Sequence, residues 1–175
     1  MQGFIENMKK QCNCTVCEFH SACTQLIDKE KYPEAFGLLE SLDMLNEIIT
    51  TEFGMVVAQC IQFSRGDAKA PYEFTNYSNM EQSHLNSLKA IEGFDEQATT
   101  LGIQLDAFTD CFTTLKSIIG MEADFNGKVL EILSADMSDQ EKALEISKLA
   151  DNSTHRKEAR SITLKLKEKY NLEVL

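Results

Sequence analysis

The chain has 175 residues, 43% of them apolar, and a formal net charge of -11. This length suits one ordinary domain that buries about 70% of its surface, and this apolar content excludes wholesale disorder. Two prolines, eight glycines and no tryptophan exclude a turn-rich β architecture and point to a few long helices. No apolar run approaches the ~20 residues that span a bilayer, so no membrane segment is expected. Met1–Glu6 carries an acid early and lacks an apolar core, so no signal peptide is expected and the chain reads as cytoplasmic.

In chain order, residues 2–10 fit a short helix with Phe4, Ile5 and Met8 inward, and residues 11–17 are polar and rich in cysteine. A second short helix fits 18–30, with Phe19, Ala22, Cys23, Leu26 and Ile27 on one side. Residues 1–30 are therefore expected as an N-terminal Cys-rich helical appendage to a domain over 31–175.

Four long helices are expected in that domain. The first begins at Tyr32-Pro33-Glu34, where proline suits the first helical position and an acid suits the first turn. Its stripe runs Ala35, Leu38, Leu42, Leu45, Ile49, Val56, Phe63, a spacing of threes and fours or their sums. Ser64-Arg65-Gly66-Asp67 stops it. The second runs from near Pro71 to Leu101-Gly102 with Tyr77, Met80, Leu88, Ile91 and Ala98 inward and a flank rich in Asn, Ser and Gln. The third covers about 104–134, with Leu105, Phe108, Phe112, Leu115, Ile119 and Val129 in its stripe. The fourth starts at Ser138, whose Ser-x-x-Glu spacing to Glu141 is a capping box, and stops near Asn171. Short connections make successive helices antiparallel neighbours. The expected fold is all-α: an up-down-up-down four-helix bundle with a short N-terminal Cys-rich helical appendage.

Charge is unevenly spread. Residues 32–136 hold five bases against seventeen acids, and residues 154–170 hold six bases against two acids. The acidic body repels nucleic-acid phosphates. The basic segment suits a phosphate or an acidic partner; equally, it is a solvated helix end where cations match the macrodipole.

Two constellations can carry chemistry. The first is Cys12, Cys14, Cys17, His20 and Cys23, crowded into twelve residues. Cysteines of an intracellular chain are reduced, and thiolate and imidazole are zinc ligands in tetrahedral sets. A metal would also fix a segment too small for its own core. Iron–sulfur ligation by the same thiols is a further option. Without metal these residues form a reduced thiol cluster, with Cys23 filling a helix face. Cys60 and Cys111 stand alone in apolar stripes, as small core residues do.

The second constellation consists of polar residues that interrupt the stripes: Glu52, Glu81, His84, Glu122, Asp151 and His155. Their offsets from the helix ends differ by about one turn, so one level of the core can hold all six. The set resembles the ferritin-like dimetal-carboxylate bundles, in which two helices give one Glu each and two give Glu-x-x-His. Glu52 and Glu122 match the single glutamates, and Glu81-Gln82-Ser83-His84 matches one Glu-x-x-His. The fourth helix has Asn152-Ser153-Thr154-His155 instead, with Asp151 as the substitute acid. The short connection between the second and third helices also departs from the long crossover of ferritins. The resemblance implies two iron or manganese ions and oxygen chemistry. Alternatively, the carboxylates sit at stripe edges in water and the histidines are hydrogen-bonded interior groups, forming a polar layer that sets register.

No strong catalytic motif is present, and Ser64-Arg65-Gly66-Asp67 is not a phosphate-cradling loop. The expected function is a non-enzymatic, acidic helical-bundle interaction or regulatory protein with a protein partner, its Cys cluster a candidate structural zinc site. The alternatives are a ferritin-like dimetal protein and a thiol-based redox or metal sensor. A homodimer through the first or third long helix fits the broad stripes there.

Overall fold

The computed structural model describes the backbone of residues 15–172 and the side chains of residues 19–172. The described residues are all-helical, with six helices and no strand: α1 (Thr15–Leu26), α2 (Pro33–Ser64), α3 (Glu73–Leu101), α4 (Asp106–Ser134), α5 (Asp139–Asn152) and α6 (His155–Lys169). None is long and apolar enough to cross a membrane. The expected helix over 2–10, together with Cys12 and Cys14, lies outside the described residues.

The three long helices fall where their stripes place them, and local chemistry sets their ends. Pro33 and Glu34 open α2. Gly66 closes it at φ +81°, a left-handed position that a side chain disfavours, with its N–H donating to Phe63 O at 3.0 Å. Gly102 closes α3 in the same left-handed region. At α5 the capping box forms in full: Glu141 N donates to Ser138 Oγ, and Ser138 N donates to Glu141 Oε2.

The expected fourth long helix is instead two. Ser153 is extended (φ -80°, ψ 135°), and α6 restarts at His155. The apolar periodicity runs through this point, but Asn152-Ser153-Thr154 offers three short polar side chains that compete with the helical hydrogen-bond ladder. Thr154 Oγ1 bonds to Glu158 and Ser153 Oγ to His155, so both hydroxyls are used locally.

The break separates two core clusters. One joins Phe53, Val56 and Cys60 of α2, Phe125 to Leu133 of α4, the start of α3, and Ala143 and Ile146 of α5. The other joins Leu38, Leu42 and Ile49 of α2, Phe108 to Ile119 of α4, Ala159 and Leu166 of α6, and the α1 segment. Around the first cluster α5 packs on α2 and α4; around the second, α6 packs on α4 and α1, and α1 packs on α2. Phe19, Ala22, Cys23 and Ile27, from the segment expected as an appendage, are buried in the second cluster. Helix α3 buries only Phe74, Met80 and Ser87, in keeping with its polar flank. Lys116 Nζ bonds both Asp95 oxygens at 2.7 and 2.6 Å, tying α4 to α3.

Candidate functional site: a cleft between α2 and α6

Where the chain breaks at Ser153, α6 leaves the line of α5 and a cleft of about 660 Å³ opens between α2 and α6. That volume lies in the range of ligand pockets. One wall is α2, with Thr50, Thr51, Gly54, Met55 and Ala58. The other is α6, with Arg156, Lys157, Ala159 and Arg160. Ile118 and Glu122 of α4, with Asn46 of α2, complete the lining.

His155 and Glu122 anchor the inner end. His155 Nε2 lies 2.7 Å from Glu122 Oε2, and the two side chains are 13% and 7% exposed. On the other side of the ring, Nδ1 is 2.5 Å from Ser153 Oγ. The ring stacks on Phe125 at 4.3 Å between centroids. Arg156 Nε lies 3.8 Å from the second Glu122 oxygen. One buried carboxylate of α4 thus meets His155 and Arg156 from the first turn of α6.

Ser153, His155 and Glu122 occur in the order of a nucleophile, base and acid. The contact between His155 and Glu122 is short but lacks hydrogen-bond alignment, leaving both atoms buried without a hydrogen-bond partner. An acid that orients a catalytic base must hold its N–H in line. The arrangement therefore carries no catalytic assignment.

Asn46 is 1% exposed, and its Oδ1 has no hydrogen-bond partner. A buried amide oxygen left unpaired costs free energy. Among the described residues, Glu122 is the single acid lining the cleft, against Arg156, Lys157 and Arg160, so a local cationic wall stands on a chain of net charge -11.

Of the six stripe-interrupting residues, the structure brings Glu122 and His155 together. Glu52 accepts a hydrogen bond from Ser83 Oγ at 2.8 Å. Glu81 and Asp151 are exposed. His84 packs edge-on against Phe53 at 5.9 Å, and burial pushes its imidazole pKa down. Two physical reasons separate them. Met80 faces the core, and its neighbour Glu81 is turned ~100° away around the helix. Asp151 shares a face with His155 only in an unbroken helix, and the break at Ser153 removes that relation.

In the cysteine set, Cys12, Cys14 and the side chain of Cys17 lie outside the described residues. His20 is exposed, with Nδ1 3.3 Å from Asp43 Oδ2. Cys23 is buried and hydrogen-bonded to Cys111; that bond and burial push its thiol pKa far up. Among the described residues, no group of three or more His, Cys, Asp or Glu is placed to hold a metal ion.

Asn46 and Asp43 are buried polar residues that stripe reading passed over. Their signal was present: Asn46 follows Leu42 by four and precedes Ile49 by three, and Asp43 follows Leu39 by four. Arg156 carried no such signal, because its role depends on where α6 restarts.

No protein-family model, curated protein or solved structure matches the chain.

Proposed function

We propose that this chain is a non-enzymatic interaction module that holds a partner in the cleft between α2 and α6. The architecture behind this reading is an up-down-up-down bundle of four rods, with α5 and α6 together as the fourth rod and α1 packed into the core at one end. The observation that carries it is the broken fourth rod. Among the described residues, the break leaves one stretch of α2 uncovered, opposite a basic wall and above the unpaired Asn46 Oδ1. Partner-binding surfaces combine this kind of accessible apolar area with a few unsatisfied polar groups.

The test is site-directed photo-crosslinking from Met55, a cleft residue, and from Leu144, an exposed apolar residue of α5. The captured protein is identified, purified and titrated against the full chain. Met55→Asp is expected to weaken that binding at least ~10-fold, a loss typical of a central apolar contact. Leu144→Asp is expected to leave it unchanged. Equal capture from both positions, or equal binding by both variants, rejects the cleft as the binding surface.

A further inference from the structure

We infer that residues 2–10 of this same chain dock in the cleft and compete there with its partner. The inference rests on the interaction reading above and adds how that surface is regulated.

The direction of α1 leads to it. The short turn at 27–32 joins α1 to α2, and the two helices run antiparallel. Thr24 shares a small cavity with Phe36 and Glu40 of α2, and one turn earlier His20 Nδ1 lies 3.3 Å from Asp43 Oδ2. Each step back along α1 is therefore a step forward along α2. At equal rise, Thr15 stands at about the level of Ile48. The cleft, lined by Asn46, Thr50 and Gly54, opens at that level.

Helix α1 and the cleft also share one face of α2. Phe36, Glu40, Asp43, Thr50, Gly54 and Ala58 follow one another in threes, fours and their sum. Along the first half of this face α1 packs on α2 and on α6. Exposed Glu47 stands at the boundary. Beyond it, the cleft lies between the same two helices, α2 and α6. It continues the groove that α1 fills.

The chain ahead of α1 is long enough to reach across it. From the level of Ile48 to Ala58 is ten residues of α2, or ~15 Å. The fourteen residues before Thr15 cover ~21 Å as a helix and more when extended. Among them Phe4, Ile5 and Met8 stand at i, i+1 and i+4, the spacing of one apolar helical face. Met55, Ala58, Ile118 and Ala159 give the cleft apolar lining for such a face. Glu6 is opposite in sign to the Arg156 and Lys157 wall, whereas Lys9 and Lys10 share its sign, so apolar contacts carry the docking. A short tether holds a segment near its site at an effective concentration of about millimolar, so modest contacts suffice.

The test uses the full chain with p-benzoylphenylalanine in place of Met55, or of Leu144 as control, irradiated alone. Peptide mapping by mass spectrometry is expected to show an intrachain link from position 55 to residues 2–10 and none from position 144. The triple variant Phe4→Asp, Ile5→Asp, Met8→Asp is expected to lower that yield at least ~5-fold. A fluorescent peptide of residues 1–11 is then titrated by anisotropy. It is expected to bind the triple variant at least ~10-fold more tightly than wild type, whose own segment competes at high local concentration. Adding Met55→Asp to the triple variant is expected to remove this binding. Circular dichroism confirms that each variant folds.

No link from position 55 to residues 2–10 overturns the inference, and so does equal peptide binding by wild type and the triple variant. A link that joins two chains, detected by mixing isotope-labelled with unlabelled protein, also overturns it, because the segment then comes from a second copy. A captured partner that binds wild type and the triple variant equally overturns the competition. If the intrachain link forms and the triple variant still captures no partner, the interaction reading falls and the docking of residues 2–10 stands.

Discussion

His155 Nε2 lies 2.7 Å from Glu122 Oε2 across the junction of α6 and α4. This contact joins the helix break to the body of the molecule, because His155 is the first residue of α6. Removing one member of a buried pair in close contact leaves the other without its electrostatic neighbour, which costs more than the pair contributes. Glu122→Ala is expected to destabilise the fold by about 3 kcal/mol. The double variant Glu122→Leu, His155→Leu is expected to recover most of that loss, since neither polar group then remains. Urea unfolding of the two single variants and the double variant measures the coupling. Additive losses would show that the two side chains act independently.

Asp43 provides a pH test. Burial pushes its carboxyl pKa up to about 6, against the lowering influence of His20 and with a small upward contribution from Glu47. The folded state then holds the proton more tightly than the unfolded chain, whose carboxyl titrates near 4. This group's stabilisation is complete below about pH 4 and is lost as pH rises through about 6. At pH 7 the folded state bears a poorly hydrated carboxylate. Asp43→Asn is expected to raise stability at pH 7 by about 1–3 kcal/mol and to flatten the profile between pH 4 and 6. A loss of stability at pH 7 would mean that the contact with His20 outweighs the desolvation of Asp43.

The thiols give a chemical test. Hydrogen bonding to Cys111 and burial hold Cys23 as a thiol, and burial with the charge of Glu73 pushes Cys60 up to about 12. The thiolate is the reactive form. Iodoacetamide at pH 8 is therefore expected to modify Cys23 and Cys60 at least ~100-fold more slowly in the folded chain than in urea, with site occupancy read by mass spectrometry. Fast labelling of folded Cys23 would show that its thiolate forms and is accessible in the folded chain.

The legible part of the molecule is its long helices. Apolar spacing, Pro33, the Ser138–Glu141 box and Gly102 act within a few residues of chain, and each produced the local structure expected of it. The break at Ser153 was hidden because Ala159, Ile162 and Leu166 continue the period of α5. A two-residue interruption shifts the direction of the next helix while leaving the count of apolar positions almost untouched. The six-residue site failed to converge for a related reason. Stripe membership fixes a residue to within about one neighbour, and Glu81 beside Met80 shows that one neighbour separates the core from water.

The amino-acid sequence by itself determined that this chain is helical, that three helices are long, and where their caps lie. Those outcomes depend on interactions between residues close in the chain. Only the tertiary structure decided that Cys23 meets Cys111, that Glu122 meets His155, and that basic residues of α6 line one cleft with α2. The last two depend on the angle at which α6 leaves Ser153, which is set by packing against α4 and α1, and the first on the packing of α1 against α4, rather than on any residue's own preference.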